Sequence, residues 1–311
     1  MFDNIIKVIR DYPEIKSDDS IIHQWTCETD FDDYIESTYG NIHYKLINEL
    51  LLFINNYDFY ELLKIITQRK RKSDILMNQF TEMCRIFKKD IIDSLNIHFT
   101  NIIKLYHAIN KIPDFITYNN NFDFLGKDLH LYRGFKSNND KFFEYIENTK
   151  DISDDESGNK KNIITTPIFL STSLIINVAK RFVDKNIYTN SSKKIIWKII
   201  VPYYKLREFK YTYLGNDIDI DTYRPGDNGE FEFLLNIGAL MQFKERKIIE
   251  NEYYVDITVP DGMMISYTLE TYEFVGWNYK YFQEINEKSQ YFIQLFQSSK
   301  PLLRSNVSKT R

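Results

Sequence analysis

Cysteine is nearly absent from this 311-residue chain: Cys27 and Cys84 stand far apart and form neither a metal pair nor a disulfide framework. The ten glycines contain no Gly-x-Gly-x-x-Gly and no P-loop spacing, which excludes both standard nucleotide cradles. His-Glu-x-x-His and Cys-x-x-Cys do not occur, so zinc has no support. Asp217, Asp219 and Asp221 alternate like the start of a calcium loop, but Thr222 stands where that loop needs glycine and Asn228 where it needs glutamate. No metal is expected. A surplus of one charge is also missing. With 44 acidic and 40 basic residues the net charge is -4, which excludes phosphate neutralisation along nucleic acid as the main work. No apolar run approaches the ~18 residues of a membrane span, and Met1 to Asp11 hold no signal-peptide core. A soluble protein is expected, cytoplasmic or otherwise intracellular, with neither a nucleic-acid partner nor a membrane span.

What is present suffices for a sizeable core: 43% of residues are hydrophobic and 27% charged. The first third carries helical spacing. Apolar residues recur at three and four over Ile42 to Ile54, Leu62 to Ile66, Ile75 to Phe87 and Ile102 to Ile109, where Pro113 ends the pattern. From Leu129 the texture turns to short β-branched and aromatic runs. Strands are predicted at Leu129–Tyr132, Ile168–Ser171, Ile195–Val201, Phe231–Leu235, Leu240–Phe243 and Tyr253–Val259, with one short helix at Asn177–Val183. The acidic stretch Asp151 to Glu156 and the segment Tyr211 to Gly229 read as loops. Beyond Pro260 a helix is predicted around Tyr281 to Phe296, followed by a mobile basic tail from Ser298. The class is α+β. The expected domains are a helical N-terminal lobe over 1–112, a core over 113–260 and a C-terminal extension over 261–311.

Three segments stand out together. Leu131-Tyr132-Arg133-Gly134 puts an arginine at a strand end, followed at once by glycine. Phe169-Leu170-Ser171-Thr172-Ser173 closes an apolar strand with hydroxyls. Glu230-Phe231-Glu232-Phe233-Leu234-Leu235 opens a strand with two carboxylates on one face. Singly, each has an ordinary explanation. A strand-end arginine pairs with a neighbouring carboxylate, Ser173 caps the following helix, and alternating Glu and Phe mark one wet and one buried face.

In this order and spacing the three segments resemble the arginine–serine–glutamate class of mono-ADP-ribosyltransferases, the exoenzyme-toxin-like family. The resemblance covers roughly residues 95 to 260. It includes the helix ending before Pro113, the short helix Val178-Ala179-Lys180-Arg181-Phe182, the strand ending in Val201-Pro202, and Gly238 after Glu232. Asn236 departs from it, standing where the family has proline.

The resemblance implies a helical lobe followed by two packed, mainly antiparallel sheets, with NAD as co-substrate in the cleft between them. The activity implied is ADP-ribosylation of a target protein on arginine, with nicotinamide as product. Glu232 is then the catalytic carboxylate, which stabilises an oxocarbenium-like sugar and hydrogen-bonds a ribose hydroxyl. Glu230 selects and deprotonates the acceptor. A guanidinium is a poor nucleophile at ordinary pH, and a carboxylate can orient it and take its proton. Arg133 holds the NAD phosphates, and Gly134 lets the backbone reach the nicotinamide amide. Ser171 positions Glu232 and the ribose, with Thr172 in support. Arg181 reads as a solvent-facing helix residue ahead of a second phosphate contact, and Tyr223 as the first aromatic to test for target recognition. An NAD glycohydrolase stays open as an alternative, as does a catalytically dead binding module. The intact Arg133, Ser171, Glu230 and Glu232 set argues against the second.

Overall fold

The computed structural model describes residues 44–56, 91–111, 127–135, 140–154, 160–184, 194–213, 232–252 and 264–308. The sequence-predicted helices around Leu62–Ile66 and Ile75–Phe87 and the strand Tyr253–Val259 lie outside them. The chain divides into two compact units, one including Ile109–Asn278 and the other formed by Asp18–Ala108 with Tyr279–Arg311.

The described residues of the second unit are helical. Helix α1 spans Tyr44–Asn56, α2 spans Ile91–Lys111 and crosses into the other unit, and α5 spans Tyr279–Ser308. On α1 the apolar spacing buries Ile47, Leu50, Leu51 and Ile54 along one face; on α2 it buries Phe99, Ile102 and Leu105. The Phe99 and Phe292 rings meet edge-on at 6.1 Å, and Asn55 donates to the Tyr281 hydroxyl at 2.7 Å. The tail expected to be mobile from Ser298 instead continues α5 through Ser308. Among the described residues no helix is long and apolar enough to cross a membrane.

Among the described residues the first unit has nine strands: β1 Leu129–Phe135, β2 Asp151–Asp154, β3 Lys160–Thr165, β4 Leu170–Ser173, β5 Ile195–Val201, β6 Tyr211–Tyr213, β7 Glu232–Leu235, β8 Ala239–Glu252 and β9 Met264–Trp277. Their order is β2-β3-β8-β9-β5-β1-β4-β7-β6. The sheet is mixed: β5 and β9 run parallel, and the other described pairings are antiparallel. Two packed sheets were expected. The described strands form one continuous order because Tyr132 of β1 pairs with Ser173 of β4. By contrast, β1 pairs with β5 along its whole length, from Leu129 opposite Val201 to Phe135 opposite Ile195.

Two stretches read as loops begin with strands, β2 at Asp151 and β6 at Tyr211, and both lie at sheet edges. Edge strands need only one hydrogen-bonding neighbour and tolerate polar sequences such as Asp-Ile-Ser-Asp. Strand β9 falls where no strand was predicted, between two long partners at the centre of the sheet.

Helices cover both faces of β1. Helix α3, Asp140–Thr149, brings Phe142 to 5.0 Å from Phe135 and 5.3 Å from Trp197, ring to ring. On the other face α4, Ile176–Asp184, packs Ala179 and Val183 against Ile196 and Leu269.

Candidate active site

Strand register assembles the site. Tyr132 pairs with Ser173, and Ser173 with Glu232, so one row crosses β1, β4 and β7. Registered residues lie side by side on a sheet, and this row brings segments distant in sequence into contact range. A pocket opens there, lined by Tyr132, Arg133, Gly134, Ser171, Thr172, Ser173, Val178, Ala179, Phe182 and Glu232.

Five expected site residues therefore converge: Arg133, Gly134, Ser171, Thr172 and Glu232. Glu230 and Tyr223 lie outside the described residues. Arg181 is half-buried on α4 and is not among the lining residues. No residue that sequence reasoning placed in the site is found elsewhere among the described ones.

Two contacts, and a third residue behind one of them, place Arg133. Its Nη1 donates to the Ser171 carbonyl at 2.8 Å, which ties β1 to β4 beside the Tyr132–Ser173 pair. Its guanidinium carbon lies 5.9 Å from the centre of the Phe135 ring, two residues along the same strand face. Trp197, in register with Arg133, closes the wall behind Phe135 at 4.8 Å between rings.

The Ser-Thr-Ser strand divides its hydroxyls between tasks. Thr172 is buried, and its Oγ1 donates to the Phe233 carbonyl at 2.9 Å, locking β4 to β7. That bond supports Ser171 and Glu232 from behind. Ser173 accepts from the Ile175 backbone N–H at 3.0 Å, the turn that launches α4. Ser171 is only half-buried and lines the pocket.

Gly134 has a second reason to be glycine. A Cβ there would stand 2.0 Å from the Ala179 carbonyl oxygen and 2.8 Å from Val183 Cγ2, because α4 lies directly on β1. Backbone cannot yield as a flexible side chain can. Gly134→Ala is expected to destabilise the protein by about 3 kcal/mol or more, lowering Tm by roughly 5–10 °C. A melting curve matching wild type would show that α4 sits farther from the strand.

Asn236 gains a rationale too. Its backbone N–H donates to the Lys210 carbonyl at 3.2 Å, a bond that proline cannot make. Its side chain accepts from Ile237 N–H at 3.0 Å and donates to Asn110 at 3.1 Å. Gly238 follows at φ 81, in the left-handed region that favours glycine.

Sequence reasoning did not place Tyr132, Ser173, Val178 or Phe182 in the site. Val178 and Phe182 are four apart on α4, so helical spacing alone puts them on one face. Burial raises the Tyr132 phenol above its usual pKa, so it enters the pocket as a protonated donor at neutral pH.

No protein-family model matches the chain and no curated protein does. Among solved structures, this chain is similar to the enzymatic component C2-I of the C2 toxin from Clostridium botulinum, at 12% identity and TM-score 0.30, over 79% of this chain and 45% of that one. It is similar to C3larvin, an ADP-ribosyltransferase from Paenibacillus larvae, at 14% identity and TM-score 0.29, over 68% of this chain and 93% of that one. BECa, an ADP-ribosylating toxin of a binary enterotoxin of C. perfringens solved with NADH, aligns at 14% identity and TM-score 0.34, over 87% of this chain and 48% of that one. The chain thus spans less than half the length of C2-I.

Proposed function

We propose that this protein is an NAD-dependent mono-ADP-ribosyltransferase that modifies arginine on a target protein and releases nicotinamide. One observation carries the reading: a strand arginine, a serine and a glutamate from three distant segments line a single pocket. NAD supplies the ADP-ribosyl group and a nicotinamide leaving group. The lining residues fit it chemically. Arg133 offers a planar charged fork for phosphate oxygens. Glu232 offers a carboxylate to the sugar, where positive charge develops as the glycosidic bond breaks. Ser171 sits on the strand between them and can hydrogen-bond the ribose.

Glu230 completes the proposal. It precedes Glu232 by two residues, so an extended strand puts both carboxylates on one side. Its place is to pair with the acceptor guanidinium and take the proton released as the new N–C bond forms.

Incubation with labelled NAD and a cell lysate tests this directly. A labelled protein band is expected, with the adduct on arginine by mass spectrometry and slow release in neutral hydroxylamine. Reproducible modification of Cys, Asn or a nucleobase would overturn the acceptor. NAD consumption with no labelled product under any lysate would favour the glycohydrolase instead.

A further inference from the structure

A row of side chains crosses the sheet from Arg133, and its other members take no part in the chemistry above. Arg133 is in register with Trp197, Trp197 with Glu270, and Glu270 with Arg246. Glu270 is only 5% exposed, in the middle of the central strand β9. Its carboxylate is fully engaged. One oxygen accepts from Trp197 Nε1 at 2.9 Å and from the Tyr272 hydroxyl at 3.2 Å. The other accepts from Arg246 Nε at 3.0 Å and Nη2 at 2.6 Å. Burial, reinforced by the adjacent Glu270 charge, pushes the Tyr272 phenol far above its usual pKa, so it remains a donor.

Stability alone does not account for this carboxylate. A buried ion pair is seldom more stabilising than apolar residues of equal volume, and here the arginine side chain is 62% exposed. What a charged acceptor supplies is direction. An indole packed only by apolar neighbours can shift within its cavity, whereas one that donates to a fixed carboxylate is held in one orientation. Trp197 then presses on Phe135, whose ring lies beneath the Arg133 guanidinium.

We propose that Glu270 is a positioning residue for the site: by fixing the Trp197 indole, it sets, through Phe135, where the Arg133 guanidinium stands at the pocket. The kinetic part rests on the proposed role of Arg133 toward NAD. The test uses the full chain with Glu270→Gln, Arg133→Lys and the double variant, and Trp197→Phe, which keeps an aromatic ring but loses the N–H donor. Glu270→Gln is expected to raise KM for NAD roughly 3- to 30-fold while kcat stays within about twofold. Added to Arg133→Lys, it should change KM little further, since the two act as one unit.

The side-chain Nε–Hε NMR signal of Arg133, recorded without NAD, should move in both Glu270→Gln and Trp197→Phe. A lowered Tm with KM unchanged, or fully additive effects on KM, would reduce Glu270 to a structural role and overturn the proposal. If wild type neither cleaves nor transfers from NAD, the functional reading fails, yet the Arg133 signal still decides: movement supports positioning and a fixed signal overturns it. Should Glu270→Gln fail to fold, Trp197→Phe decides by the same two readouts.

Discussion

Glu232→Gln lowers both ADP-ribosyl transfer and NAD hydrolysis by roughly 10²–10³-fold, the usual worth of a preorganised electrostatic contact in a transition state. Glutamine keeps the shape and the hydrogen-bonding reach of glutamate and removes only the charge. Glu232 opens β7 directly opposite Ser173 and lines the pocket with Arg133 and Ser171. Because its strand is pinned by the Thr172 bond to the Phe233 carbonyl, the variant side chain has no reason to relocate. Nicotinamide release measures both reactions, and an unchanged Tm would show that the fold is intact. Hydrolysis persisting within a few-fold of wild type would mean that another group meets the charge on the sugar.

Glu230→Gln separates the two reactions. If the acceptor is arginine as proposed, transfer is expected to fall by roughly 10²–10⁴-fold, the range for loss of a general base, whereas NAD hydrolysis is expected to stay within about threefold because water needs no guanidinium partner. The comparison is made on one preparation, with nicotinamide release against labelled target. Equal losses in both assays would assign both carboxylates to the sugar and leave the acceptor base unidentified.

Much of the site was legible in the sequence because its chemistry sits where local pattern is strongest. The strand Ile195–Val201 matches its predicted bounds, since a largely apolar run is bounded by Lys194 on one side and Pro202 on the other. The short helix predicted over Asn177–Val183 is α4 with one residue added at each end. The three motif segments lie on adjacent strands and meet in one pocket. Strand β9 was not legible, and its sequence shows why. Met-Ile-Ser-Tyr-Thr-Leu-Glu-Thr-Tyr-Glu-Phe carries two glutamates and three hydroxyl residues (Ser266, Thr268, Thr271), which read as surface. Yet Glu270 and Thr271 are both buried, one on a network of four donors and the other beside Glu245. Only a tertiary partner makes such a residue acceptable inside a sheet. Gly134 was legible as a close approach, but that α4 makes one cannot be read from neighbouring residues alone.

The join between β1 and β4 bears on how the protein would respond to its substrate. Arg133 and Glu232 stand on opposite banks of that join, which is bridged by the Tyr132–Ser173 backbone pair and by the Arg133 bond to the Ser171 carbonyl. A molecule touching both banks acts as a staple across the seam, and whatever binds the native state alone adds to the free energy of unfolding by mass action. Saturation at a hundred times Kd corresponds to about 2.7 kcal/mol of added stability. In amide hydrogen exchange, the strands flanking the seam are therefore where bound substrate should slow opening most.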